Sequence, residues 1–396
     1  MEKNYKILEI SPFTLSLPLD GGKVVISERI KNFSDFMDIS LISMNTHEIG
    51  NMDENYPNLK DIKIYKPLKY NKFVNIVKWL ISSKPKLAIN YYNKEYKKEI
   101  MEYIIKNKID IVILEFPYTA EFIDIKELKN LGIRIIVIAH GVEEIFFEKL
   151  RKDELPSAIV KYEKQRWNHY EKLILNSVDK VIGIAPEDVV YLKTKHKLNN
   201  IVYLPPYLNK ETKCWMENEN SNYIVFCGSL SFYPNYHGIK WFLDEVCKGN
   251  LKTLGKKVIL KITGKISREM REEFKAYKEV EFTGYLSDEE LEKLILNAKC
   301  AIVPILIGSG IKIKLLKSLS YGIPTVITNH AASGVPFNNE KPYYKCDNSK
   351  EFFYYLKEIL NNRDLRLNLS KRAKSFYEEV YSSDKNKKMW IENIIK

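Results

Sequence analysis

The chain has 396 residues, 45% hydrophobic and 29% charged, which excludes a disordered or collagen-like polypeptide and makes two domains the expectation. Its formal net charge of +12 favours anionic partners: nucleic acid, anionic lipid or phosphorylated ligands. Cys214, Cys227, Cys247, Cys300 and Cys346 are scattered and lack CxxC spacing, and Met1 to Tyr5 carries no apolar signal core, so a reducing, cytoplasmic setting without a zinc site is expected.

Tyr5 to Ser11 reads as a strand. A loop follows to Asp20-Gly21-Gly22, then a helix carrying Val24, Val25, Ile30 and Phe33. Strand, glycine loop and helix open a doubly wound α/β domain. There is no full GxGxxG; Gly21 and Gly22 instead let a ligand approach the backbone closely. Asp38 to Met44 and Asp61 to Tyr65 are further strands. Residues 71–108 are mostly helical, with a break at Lys84-Pro85.

The segment 66–108 holds eleven lysines against Glu95, Glu99 and Glu102, interleaved with Tyr70, Phe73, Trp79, Tyr91 and Tyr92. Such a segment suits either an anionic membrane surface or an ordinary solvated face. The longest apolar runs fall far below the ~20 residues of a membrane helix.

Ile109 to Leu114 and Ile133 to Ala139 are apolar strands followed by Glu115 and His140, where strand ends meet a ligand crevice. His140 can bond a sugar hydroxyl or phosphate, or cap the next helix. Residues 157–176 are a long helix, Lys180 to Ala185 a strand, Pro186 a helix start, and Ile201 to Leu204 the last strand of this half. Residues 207–222 lack periodicity and read as linker.

The pattern then restarts. Tyr223 to Cys227 is a strand, Gly228-Ser229-Leu230 a turn, and Pro234-Asn235 opens a helix. Val258 to Thr263 ends in Gly264, and Val280 to Thr283 in Gly284-Tyr285. Ser287 and Glu290 form a capping box. Ile302 to Ile327 reads strand, glycine turn, helix, glycine stop, strand, the first strand running to Ile307. A helix N-terminus behind Gly308-Ser309-Gly310 can bind an anion, and Lys312 and Lys314 sit in its first turn. Lys293 to Asn339 is 47 residues with no Asp or Glu. An even spread would put roughly 6 there. The plain alternative is a buried strand–helix–strand with solvated lysines. Helices at 349–361, 363–376 and 384–396 close the chain.

The second half resembles the group 1 glycosyltransferases, a retaining family of GT-B fold that uses nucleotide-activated sugars. The carrying residues are Phe226 to Asn235 with Trp241-Phe242, Phe282 to Leu286, and Val303-Pro304 through Pro324. Gly21-Gly22, His140-Gly141 and Val178 to Ala185 match more loosely. The resemblance implies two Rossmann-like doubly wound domains facing across a cleft. Residues 1–206 would bind the acceptor, 207–222 link, 223–376 hold the nucleotide sugar, and the helix in 377–396 cross back to the first domain.

It further implies roles. Gly310, Lys312 and Lys314 neutralise the diphosphate in place of a metal, so no metal and no cofactor are expected beyond a UDP- or GDP-sugar donor. Gly228, Ser229, Gly264, Gly284, Tyr285, Ser309, Ile311 and Lys317 line the donor site. Gly21, Gly22 and Glu115 line the acceptor side, and His140 contacts the transferred sugar. One departure stands out: the family's ribose-binding glutamate is Lys317 here, and an ammonium cannot accept a hydrogen bond. The expected activity is a hexosyltransferase (EC 2.4 class) acting on a glycan or lipid-linked acceptor in cell-surface polysaccharide synthesis, cytoplasmic and peripheral at the inner membrane face. The alternative is a non-catalytic nucleotide- or glycan-binding partner subunit. No recognition module for nucleic acid is present.

Overall fold

The computed structural model describes residues 5–15, 21–44, 56–66, 72–151, 155–209, 213–255, 258–308, 310–336 and 342–396, without the side chains of 72–76 and 150. The chain divides into two compact units, Met1–Asn209 with Asp384–Lys396, and Lys210–Ser383.

The first unit is built on seven parallel strands: β1 (Lys6–Ser11), β2 (Asp38–Met44), β3 (Asp61–Tyr65), β4 (Ile111–Glu115), β5 (Arg134–Ala139), β6 (Lys180–Gly183) and β7 (Ile201–Tyr203). Their order is β3-β2-β1-β4-β5-β6-β7. β4 and β5 are apolar along nearly their whole length because helices cover both faces of such a sheet. The helix Asp384–Ile395 completes this unit. Trp390 is fully buried and its Nε1 donates to the Pro205 carbonyl at 2.7 Å. Lys180 Nζ donates to the Asn393 carbonyl at 3.1 Å.

The second unit carries β8 (Tyr223–Phe226), β9 (Ile259–Thr263), β10 (Val280–Gly284), β11 (Cys300–Val303), β12 (Thr325–Thr328) and β13 (Tyr344–Cys346). These are again parallel, in the order β10-β9-β8-β11-β12-β13. Ser287 forms the expected reciprocal capping box with Glu290. Gly322 ends the helix Ile313–Tyr321 with φ +69°, a left-handed turn that glycine adopts without strain.

Several elements differ from the sequence expectation. β11 stops at Val303 although the apolar run continues to Ile307. Pro304 offers no N–H to the ladder, and the helix Tyr233–Trp241 comes so close at Gly238 that a Cβ there would lie 2.3 Å from the Pro304 carbonyl oxygen. Within 207–222, Trp215 is core: its N–H donates to Tyr321 O and its indole to Ala298 O, each at 2.7 Å. The helix expected after His140 is Glu143–Arg151, while the short helices Ile125–Asn130 and Arg268–Phe274 and the edge strand β13 carried too little periodicity to be read beforehand.

Candidate functional site

In the second unit the strand order reverses between β8 and β11. Loops leaving the carboxyl ends of strands on either side of such a reversal diverge and leave a crevice, the usual ligand position in open parallel sheets. Gly228 and Ser229 follow β8, Gly264 follows β9, and Gly284 ends β10.

These turns are tied together by bonds that need glycine. Gly228 N–H donates to Thr263 Oγ1 at 3.2 Å, Gly264 N–H to Gly284 O at 2.7 Å, and Asn235 Nδ2 to Ser229 O at 2.8 Å. A Cβ on Gly264 (φ +89°) would stand 2.8 Å from Ser229 Cα. One on Gly228 would stand 2.8 Å from Asn235 Nδ2 and 3.3 Å from Lys314 Cε. Gly228, Ser229, Gly264, Gly284 and Lys314 are thus one patch. Tyr285 beside it is 59% exposed.

The helix Ile313–Tyr321 begins at Lys312 without a side-chain cap. Lys312 is buried and its ammonium donates to the Gly310 carbonyl at 2.6 Å, which braces the turn. Ile311 packs against Gly334, where a Cβ would lie 2.9 Å from Ile311 Cα. Lys317 lays its ammonium over the Tyr321 ring at 4.7 Å. Ser309 lies outside the described residues, as do Asp20, Tyr70 and the side chain of Phe73.

Lys314 is the electrostatic centre. Burial pushes its amine down to about 8, with a smaller opposing influence from the nearby Cys227 thiol. Burial in turn pushes that thiol up to about 12. Among the described residues no carboxylate pairs with the Lys314 amine, which lies 5.9 Å from the Phe226 ring centroid. A desolvated cation of this kind gains from an arriving anion, which would restore its proton affinity.

In the first unit the reversal falls between β1 and β4. Here the groups are acidic and aromatic. Arg29, on the helix Gly22–Phe33, donates from Nη2 to Glu9 Oε1 at 2.6 Å and also to Glu115 Oε1. Glu115 Oε2 meets His140 Nε2 at 2.5 Å. All four side chains are at least nine-tenths buried. Burial raises the Glu9 carboxyl against the pull of Arg29. Burial opposes ionisation of Glu115 too, but Arg29 and His140 outweigh it and hold that carboxyl below its ordinary value.

Glu115 therefore does not present a free carboxylate to a ligand; it holds His140. The ring of Phe116 stacks on His140 at 4.4 Å and 19°. Nor is His140 a helix cap. The first N–H groups of Glu143–Arg151 go to the Glu171 carboxyl, from Glu143 at 3.0 Å and Glu144 at 3.4 Å. His140 Nδ1 is buried with no hydrogen-bond partner among the described residues. A Cβ on Gly22 would lie 3.6 Å from it. Glu9 and Arg29 were missed from sequence. Their signal was a charge inside an apolar strand and another amid Val25, Ile26, Ile30 and Phe33.

Among the described residues no three His, Cys, Asp or Glu side chains gather as a metal-ligand set. The glycine-turn patch and Lys314 lie within a segment that known proteins share. Residues 221–362 match the family model for glycosyl transferases group 1. A Klebsiella pneumoniae protein described as an uncharacterized 44.6 kDa protein in the cps region is 25% identical over 395 residues, covering 92% of this chain and 93% of its own. TarM of S. aureus superposes with a TM-score of 0.71 at 12% identity over 99% of both chains. Anabaena Alr3699/HepE, solved with UDP, gives 0.70 at 8% identity over 98% of this chain and 99% of its own. Sucrose-phosphate synthase of Thermosynechococcus elongatus gives 0.69 at 13% identity over 98% of both. The two parallel-sheet, Rossmann-like units are those of the GT-B glycosyltransferase fold.

Proposed function

We propose that this protein is a glycosyltransferase that moves a hexosyl group from a nucleoside-diphosphate sugar to a glycan or glycolipid acceptor in polysaccharide biosynthesis. The observation that carries the reading is Lys314: a desolvated amine without an anionic partner among the described residues, at a strand-order reversal beside three glycine turns. The family match over the second unit supports it, and the cps-region relative supports the polysaccharide setting.

In this reading the second unit holds the donor. Departure of the nucleoside diphosphate builds negative charge on the leaving oxygen. Lys314 and the uncapped first turn of Ile313–Tyr321 stabilise that charge where water is scarce, and Lys312 fixes the turn through Gly310. This chemistry asks for no metal; retention at the anomeric carbon follows from the family resemblance. The first unit serves the acceptor side. The test is calorimetric titration with UDP and GDP, with and without magnesium. Metal-independent binding of one of them supports the reading; binding of neither removes it.

Lys317, in the place of a ribose-binding acid, favours a second reading: a nucleotide- or glycan-binding partner subunit without turnover. Donor hydrolysis or transfer by the purified protein excludes it. We also propose peripheral contact with anionic lipid. Val77, Leu80, Ile81 and Leu87 are exposed beside Lys78, Lys84 and Lys86, while Trp79 is fixed by Glu163 and Arg166. No helix among the described residues is long and apolar enough to cross a membrane. Co-sedimentation with phosphatidylglycerol vesicles that disappears in Leu80→Glu/Ile81→Glu supports the contact; co-sedimentation unchanged in that variant refutes it.

A further inference from the structure

We propose that Glu9 is a positioning residue that carries a proton into the folded state, and that this proton keeps the buried cluster holding His140 electrically neutral. Its loss turns the reversal point of the first sheet into a net negative site.

The strand pairing makes the two acids neighbours. Glu9 on β1 lies opposite Ile113 on β4, and Glu115 is two residues further along, on the same face of the sheet. Arg29 reaches both from the helix Gly22–Phe33. A guanidinium fork can give each of two carboxylates its own nitrogen. Here both take Nη2, while Nη1 is buried with no hydrogen-bond partner among the described residues. The two carboxyl groups are thereby drawn within hydrogen-bond reach of each other.

With both acids ionised, two negative charges would face one positive charge, all of them at least nine-tenths buried. An unbalanced buried charge is costly, and two carboxylates sharing one site do not both ionise readily. A proton on one acid restores the balance and supplies the hydrogen that a carboxyl–carboxylate contact requires. It belongs on Glu9. Both oxygens of Glu115 are taken, Oε1 by Arg29 and Oε2 by His140, whereas Arg29 takes only Oε1 of Glu9. Burial agrees, pushing the Glu9 carboxyl up to about 8 against the pull of Arg29, and Glu115 adds to the rise. Burial opposes ionisation of Glu115 as well, but Arg29 and His140 together outweigh it. The other titratable group facing Glu9 is Tyr56, whose phenol burial pushes up to about 12 and keeps neutral. Trp390 covers the cluster, its ring 5.4 Å from the guanidinium carbon.

Glu9→Gln imitates the protonated acid, its amide oxygen facing Arg29 and its NH2 facing Glu115. The first experiment is urea denaturation of the full chain from pH 5 to pH 9. The folded chain keeps a proton that the unfolded chain releases near 4.5. Wild type should therefore lose folding constant against Glu9→Gln by up to about tenfold per pH unit as pH rises to 8, and no further above it. An ionised Glu9 paired with Arg29 would act otherwise: wild type would hold or gain over the variant as pH rises, and that result overturns the proposal.

The second experiment is the infrared C=O band of protonated carboxyl groups at pH 7. Glu143 and Glu171, which burial also raises, contribute a constant background. Glu9→Gln should remove one acid from the wild-type band. Glu115→Gln should remove the same one with Glu9 still in place, because Glu9 alone against Arg29 ionises; a merely structural Glu9 gives no such loss. An unchanged band in either variant overturns the proposal, and Glu115→Gln decides if Glu9→Gln does not fold. Failure of UDP and GDP to bind would remove the glycosyltransferase reading and leave both results standing.

Discussion

Replacing Lys314 by methionine should make the protein more stable and less able to bind a nucleoside diphosphate. The side chain keeps its length and loses its charge. The folded structure holds the amine at about 8 against an ordinary 10.5. At 1.36 kcal/mol per pKa unit, that gap is a ceiling of ~3 kcal/mol of charge penalty. Lys314 as a whole is half-buried rather than fully enclosed, and that solvent access lowers the expectation to ~1–2 kcal/mol. The sign with pH is fixed. Below about 8 both folded and unfolded chains carry the proton and the penalty is whole. Between 8 and 10.5 the folded chain has lost the proton while the unfolded chain keeps it, so the penalty fades and wild type catches up. Urea denaturation at pH 7 and pH 10 measures this. A Lys314→Met variant no more stable than wild type at pH 7, or a gain that does not shrink at pH 10, refutes the claim that the amine is desolvated and unpaired. The same variant should lose tenfold or more in nucleoside-diphosphate affinity, the worth of a hydrogen bond to a charged group.

Nucleotide binding should take up protons between pH 8 and 9, because a diphosphate restores the Lys314 amine toward its ordinary value; calorimetry in two buffers of different ionisation enthalpy reads this, and proton release would contradict it. Lys317→Glu should tighten binding of the cognate nucleoside diphosphate by restoring an acceptor for ribose hydroxyls, at a cost of about 0.5–1 kcal/mol from the lost contact with Tyr321; weaker binding in a titration would make Lys317 itself a ligand. Trp390→Ala should destabilise the first unit by about 3–5 kcal/mol, since it removes a fully buried indole and its bond to Pro205; thermal denaturation with an unchanged midpoint would show that the terminal helix is dispensable.

The regular scaffold was legible because its signals are local. β2 and β3 fall on the expected residues, and the Ser287–Glu290 box and the Gly322 stop depend on neighbours three or four positions away. Half of the candidate site was legible because each glycine at a strand end and each lysine at a helix start is marked by its immediate neighbours, even though Gly228 and Lys314 are far apart in the chain. The buried charge network was not. Arg29 meets Glu115 across 86 residues, and only the strand order brings β1 beside β4. His140 could be flagged, but whether it capped a helix or faced a ligand depended on Glu171, 31 residues downstream. Trp215 escaped notice because a single anchor has no period.

The terminal helix has a consequence for biosynthesis. The first unit is discontinuous, made of residues up to Asn209 and of Asp384–Lys396. During translation its sheet emerges early, but the Trp390 indole that covers Arg29 and the Pro205 carbonyl arrives only after the whole second unit. At ribosomal speeds of about 5–20 residues per second, that is a wait of roughly 10–35 s. For that interval the nascent first unit leaves its Trp390 seat uncovered. A frameshift or early stop late in the reading frame would damage the domain encoded first.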